Sequence, residues 1–146
     1  MKKPRVLVVD DQQNARITMR GLLEDLGAQV QTAEDGYQAI EGAREVPFDL
    51  AFIDIEMPGI NGIQTLRELL KLRPEMVAAM VTGYGEARLV EEALKEGAVA
   101  VLLKPFDAKE ISHLVYGINQ RPDDTPVIIE AAVNGFNVGP IRGLQL

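Results

Sequence analysis

Four short apolar runs in this chain each end on a residue that can do chemistry. Val6-Leu7-Val8-Val9 runs into Asp10-Asp11, Phe48 to Ile53 into Asp54, Met76 to Val81 into Thr82, and Val99 to Leu103 into Lys104. Three carboxylates gathered at one place repel strongly unless a cation sits among them or one takes up a proton. Oxygen ligands with open positions suit magnesium, which meets protein carboxylates together with phosphate oxygens. A lysine ammonium and a threonine hydroxyl are then placed to supply charge and a hydrogen bond to the remaining oxygens of a phosphoryl group.

Each of these residues alone has a plainer meaning. Asp10 or Asp11 before a helix is an N-cap, and Asp54 at a strand-to-loop junction is a turn former. Thr82 alone makes local hydrogen bonds at a strand end. Lys104-Pro105 alone is a loop, and Met57-Pro58-Gly59 is a turn on any reading. The five positions taken together outweigh the plain readings, because each one closes a strand.

The elements that would carry them follow from hydrophobic spacing. Continuous apolar runs indicate strands buried on both faces, as in a parallel sheet. Gln29 to Ala33 is a weaker, alternating run between Gly27 and Gly36. Between the runs lie amphipathic stripes: Ala15, Met19, Leu22, Leu23 and Leu26; Ile63, Leu66 and Leu70, stopping before Pro74; Ala87, Val90 and Leu94, ending near Gly97 as a C-terminal cap; and Ile111, Leu114, Val115 and Ile118. Asp107 with Glu110 makes a capping pair for the last of these. Gly36 to about Arg44, with Ala39, Ile40 and Ala43, adds a shorter helix.

Strand followed by helix, five times over, predicts an α/β fold: a doubly wound, five-stranded parallel sheet with helices on both faces. In such a sheet ligands bind at the carboxyl ends of the strands, which is where Asp10, Asp11, Asp54, Thr82 and Lys104 fall. The periodic pattern stops at Arg121-Pro122-Asp123-Asp124-Thr125-Pro126, which reads as a linker. Val127 to Val133 is one more strand-like run before Asn134-Gly135 and a Gly-rich end.

Composition narrows the classes further. The chain has 146 residues, 47% of them hydrophobic and 25% charged, the balance of one ordinary globular domain. The absence of cysteine excludes disulfides and thiolate zinc sites. One histidine, His113, makes a histidine-rich metal site or a conventional catalytic triad an unfavourable reading; beside a buried stripe it reads as structural or solvent-facing. A net charge of −7 argues against nucleic-acid binding. No apolar run approaches the roughly 20 residues of a membrane span, and the N-terminal run is too short for a secretory signal. The expected location is cytoplasmic, with neither membrane nor nucleic acid as a partner.

Val6-Leu7-Val8-Val9-Asp10-Asp11, Ile53-Asp54-Ile55-Glu56-Met57-Pro58-Gly59, Val81-Thr82-Gly83-Tyr84-Gly85 and Leu103-Lys104-Pro105-Phe106-Asp107 resemble, in order, the motifs of response-regulator receiver domains. Gly36-Tyr37-Gln38-Ala39-Ile40 and Leu94-Lys95-Glu96-Gly97-Ala98 resemble that family's helix boundaries. The resemblance covers about Lys3 to Asn119. It implies a CheY-like (flavodoxin-like) sheet in the order 2-1-3-4-5, a receiver domain over residues 1–120 and an extension of unknown role over 121–146.

The resemblance also implies roles. Asp54 would take a phosphoryl group from a phosphohistidine of a sensor kinase or phosphotransfer protein. Asp11 and Asp54 would bind magnesium directly, Glu56 through its backbone carbonyl, and Asp10 largely through water. Thr82 and Lys104 would contact phosphoryl oxygens, and Lys104-Pro105 is a candidate for the cis bond common in the family. Phosphoryl transfer asks for positioning and charge neutralisation more than for covalent machinery, which agrees with this set.

Three features depart from, or lie outside, the pattern. The family commonly has Tyr or Phe three residues before the lysine, as a switch residue that turns inward; here Val101 stands there. Val101 is then either a plain sheet valine or a sign that the signal leaves by another movement, with Tyr84 as a partial substitute. Glu56 and Tyr84 occupy the positions that flank the phosphoryl group in the family and influence its lifetime. The hypothesis is that they tune dephosphorylation, and an unchanged acyl-phosphate lifetime in Glu56→Asn and Tyr84→Ala would refute it. The segment after residue 120 is too short for an effector domain; it reads as a disordered end, an extra strand, a swapped arm in a dimer or the start of something truncated.

Three functional classes follow. The leading one is a phosphoacceptor switch whose output is protein–protein contact, with a separate effector or through self-association as a homodimer. A receiver-like interaction module that is never phosphorylated is the second. A magnesium-dependent phosphatase with an aspartyl-phosphate intermediate is the third; such enzymes have Asp-x-Asp after the first strand, where this chain has Asp10-Asp11-Gln12-Gln13.

Overall fold

The computed structural model describes residues 3–83, 87–105 and 107–119, of which Ile118 and Asn119 by their backbone alone. Tyr84 and the strand-like run from Val127 to Val133 lie outside the described residues. Five strands, β1 (Arg5–Val9), β2 (Gln29–Ala33), β3 (Leu50–Asp54), β4 (Val77–Thr82) and β5 (Ala100–Leu103), alternate with five helices. The helices are α1 (Gln13–Asp25), α2 (Gly36–Glu45), α3 (Gly62–Leu72), α4 (Ala87–Lys95) and α5 (Ala108–Asn119). All strand pairs are parallel, as the apolar runs predict, and the sheet order is β2-β1-β3-β4-β5, as the family resemblance implies.

Alternate strand residues feed two separate cores, because successive side chains on a strand point to opposite faces. Leu7, Val9, Ala51, Ile53, Ala78, Met80 and Val101 pack with α2, α3 and α4 through Ala39, Ala43, Ile63, Leu66, Leu69, Leu70, Val90 and Ala93. Val6, Val8, Leu50, Phe52, Val77, Ala79, Val81, Ala100 and Leu102 pack with α1 and α5 through Met19, Leu23, Ile111, Leu114 and Val115. Both faces of β3 and β4 are therefore covered, and every residue of these strands is buried. The edge strand β2 has only Ala33 fully buried, which is why its sequence signal is weaker.

The helix boundaries have local causes. Asp35 Oδ1 accepts from the Gln38 N–H and starts α2. Asn61 and Gln64 form a reciprocal capping box at α3. Asp107 Oδ1 accepts from the Glu110 N–H at α5. Gly97 takes a φ of 113° just beyond α4, a left-handed conformation that closes a helix at little cost only with glycine. Two stripe positions differ from the expected burial: Leu26 lies beyond the last turn of α1 and is exposed, and Ala87 is exposed at the start of α4 while Ala93 is buried. Among the described residues no helix is long and apolar enough to cross a membrane.

Candidate functional site

The sheet register sets the site. Asp54 pairs with Val81, one residue before Thr82, and Thr82 pairs with Leu103, one residue before Lys104. The ladder continues past the strand ends, with Ile55 N–H donating to the Val81 carbonyl at 2.9 Å and Lys104 N–H to the Thr82 carbonyl at 2.9 Å. Asp10 follows β1 and is held to the sheet by its N–H, which donates to Ala33 at 3.1 Å. Three neighbouring strands and the β1–α1 turn thus deliver their terminal side chains to one edge.

The acidic residues converge there. Asp10, Asp11 and Asp54 each offer a carboxylate oxygen, and these atoms lie within 4.8 Å of one another. Lys104 Nζ stands 3.2 Å from Asp10 Oδ2 and 3.7 Å from Asp54 Oδ2. Asp10, Asp54 and Lys104 also line a cavity of about 370 Å³, walled by Val8, Met19, Phe52 and Val81. Asp54 is 6% exposed. Burial pushes its carboxyl from an ordinary 3.8 up to about 6, while Lys104 pulls it back down and Asp10 and Asp11 add to the rise.

The plainer roles coexist with this convergence. Asp10 Oδ1 accepts from the Gln12 N–H at 2.9 Å, shaping the entry to α1. Asp54 Oδ1 accepts from the Glu56 N–H at 3.2 Å, the side-chain turn expected of an aspartate after a strand. In each case a second oxygen of the same carboxylate faces Lys104. The turn bonds fix the carboxylates; the other oxygens remain for chemistry. Thr82, fully buried, bonds across to Glu56, its Oγ1 lying 3.2 Å from Glu56 Oε1.

Other expected positions are placed as follows. The Lys104-Pro105 peptide is cis. Val101 is buried in the core beneath α4, and His113 is exposed. Two supports carried no strong sequence signal. Arg16 Nη1 donates to the Asp10 carbonyl at 2.8 Å and bridges to Glu34. Gly62 packs so close to β3 that a Cβ there would run into the Asp54 carbonyl oxygen and the Ile55 Cα. The Asn61–Gln64 box that anchors this approach could have been read from its spacing.

Residues 6–116 match the family model described as response regulator receiver domain. The chain belongs to that family. Over 102 residues it is 39% identical to the transcriptional regulatory protein ZraR of Klebsiella oxytoca, covering 70% of this chain and 23% of that protein's length. Sporulation initiation phosphotransferase F of Bacillus subtilis is 31% identical over 115 residues, covering 79% of this chain and 93% of that protein. The crystal structure of a response regulator receiver domain protein from Clostridium thermocellum superposes with a TM-score of 0.75 at 32% identity, covering 80% of this chain and 95% of that one. The fold is CheY-like. Receiver domains are the signalling domains of two-component systems and phosphorelays; they bind magnesium in an acidic pocket and interact with histidine kinases or phosphotransfer proteins.

Proposed function

We propose that this receiver domain takes a phosphoryl group from a phosphohistidine of a sensor kinase or phosphotransfer protein onto Asp54. The observation that carries the proposal is the convergence of Asp10, Asp11 and Asp54 within 4.8 Å, with Lys104 reaching two of them. In the transfer, an Asp54 carboxylate oxygen forms a bond to phosphorus as the phosphorus–nitrogen bond breaks, and the departing imidazole keeps that electron pair and takes up a proton. Asp54 must be ionised to attack, so its raised pKa calls for a compensating cation.

Asp10, Asp11 and Asp54 fit magnesium by number, by type of oxygen donor and by mutual distance. The backbone carbonyl of Glu56 is the further ligand assigned by family resemblance. The ion would supply charge neutralisation for the phosphoryl oxygens. Lys104 holds a positive charge beside Asp54, where an added phosphoryl group would lie, and Thr82 is the hydroxyl assigned to its oxygens. Pro105 shapes the turn that presents Lys104. By family resemblance, Tyr84 and Glu56 occupy the two sequence positions that tune how long the group lasts.

Phosphorylation adds roughly −1.5 to −2 charges, as on other phosphorylated side chains, and shifts the equilibrium between two conformations. A protein effector that prefers one of them, or a second copy of the chain in a homodimer, reads the result. We assign residues 1–120 to the receiver and 121–146 to an extension of unknown role, and the protein to the cytoplasm. The test is incubation with magnesium and acetyl phosphate or beryllofluoride, comparing wild type with Asp54→Ala. A mass increase or spectral change in wild type alone is the expected result. Its absence from wild type would favour the interaction module that is never phosphorylated.

A further inference from the structure

Glu56 touches the site twice. Its backbone N–H donates to Asp54 Oδ1 at 3.2 Å, and its carboxylate lies 3.2 Å from the Thr82 hydroxyl. An ionised carboxylate has no proton to give, so Thr82 is the donor in the second contact. A threonine hydroxyl carries one proton. Donation to Glu56 and donation to a phosphoryl oxygen on Asp54 therefore exclude each other.

We propose that Glu56 is a positioning residue whose carboxylate holds the Thr82 hydroxyl in the unphosphorylated protein and competes with the phosphoryl group for it. This rests on Asp54 as the phosphoacceptor. Thr82 is fully buried at the end of β4, so its hydroxyl exchanges among partners inside the protein and not with bulk water. Glu56 is exposed, and its carboxylate is solvated by water once it lets go. The latch is therefore easily opened from the Glu56 side.

Phosphorylation acts on this bond in two ways at once. It places new negative charge near the Glu56 carboxylate, which repels it, and it provides strong acceptor oxygens for the Thr82 proton. Without the carboxylate, Thr82 would already sample the phosphoryl-facing rotamer before any group arrives. Glu56 thereby keeps the unphosphorylated state off, and its removal partly switches the domain on.

The test uses the full chain labelled at threonine methyls, followed by NMR with and without magnesium and beryllofluoride. In the ligand-free protein, Glu56→Ala is expected to move the Thr82 methyl signal toward its beryllofluoride-bound position. Glu56→Gln, which keeps an acceptor oxygen, should leave it near wild type. Beryllofluoride should bind Glu56→Ala about five- to tenfold more tightly than wild type, the scale of one net hydrogen bond. In a Thr82→Val background that gain should fall below about twofold on the same scale.

An unmoved Thr82 methyl in ligand-free Glu56→Ala would overturn the proposal. So would an equal gain in the Thr82→Val background, because Glu56 would then act on the phosphoryl group by charge alone. Failure of wild type to bind beryllofluoride would overturn the phosphoacceptor assignment instead, and the ligand-free comparison would still decide the Glu56–Thr82 bond.

Discussion

The Lys104 ammonium is shared between two carboxylates from different strands, at 3.2 Å from Asp10 and 3.7 Å from Asp54. The nearer contact is to Asp10, which is also tied to the backbone of Gln12. Asp10 thus acts as the post that holds the flexible lysine stem upright beside Asp54. Burial raises the Asp54 pKa, and Lys104 is the largest influence opposing it. Replacing Lys104 by methionine keeps the length of the stem and removes the charge. The expected outcome is an Asp54 carboxyl that titrates above about 6 in metal-free protein, read by carbon NMR of the aspartate carboxyls. A titration equal to that of wild type would mean that the ammonium does not reach Asp54 in solution.

Asp54 also makes a pH-dependent contribution to stability. Its folded pKa of about 6 lies above the ordinary 3.8, so between these values the folded state binds more protons than the unfolded one. Stability from this group is fully present below 3.8 and is lost as pH rises through about 6. Asp54→Asn lacks this loss. With a chelator present, the variant should become more stable than wild type as pH rises, levelling above about pH 6 at a gain on the order of 3 kcal/mol. Denaturant melts of both proteins at pH 4 and pH 7.5 measure the difference. Magnesium should narrow the gap at pH 7.5 by binding the wild-type fold.

The strand-end residues were legible because β3 and β4 are covered on both faces. Their apolar residues run without a break from Leu50 to Ile53 and from Met76 to Val81, so the polar residue that closes each one, Asp54 or Thr82, marks the sheet edge. β2 was harder to read, since Gln29 and Gln31 face solvent on an edge strand. Helical spacing found Met19, Leu23, Ile63, Leu66 and Leu70, yet it carried on to Leu26, past the end of α1. What the sequence hid depends on contacts between distant segments. The bond from Thr82 to Glu56 needs the β3–β4 register, and the reach of Arg16 to the Asp10 carbonyl needs the exact entry angle of α1. The closeness of Gly62 to Asp54 has no periodic signature at all.

That closeness gives a third expectation. Gly62 N–H donates to the Ile55 carbonyl at 2.9 Å, and its α-carbon faces the Asp54 backbone with no room for a methyl group. The atoms in the way are backbone, which cannot rotate aside as a side chain would. Gly62→Ala should therefore push the start of α3 away from β3 and carry the Asp54–Glu56 turn with it. A loss of about 1–3 kcal/mol in stability is expected, with weaker magnesium binding by titration. The exposed Gly21, which has open space where a Cβ would sit, is the control, and Gly21→Ala should cost nothing at the site.

Val101 carries the last expectation. It is 2% exposed and belongs to the core with Met80, Val90, Ala93 and Ala98, where α4 lies on β5. Buried in this way, Val101 leaves no exposed face for a ring to grow into, so Val101→Phe should overpack the core and cost about 1–3 kcal/mol. The native valine is stiff about χ1 and almost fully buried. Beryllofluoride should therefore change the Thr82 methyl signal while leaving the Val101 rotamer as it was, which three-bond methyl couplings report. A Val101 rotamer that switches with Thr82 would show that a branched aliphatic can do the work of the family's aromatic ring. An unchanged one would place the outgoing signal in the strand-end loop and in α4 as a body.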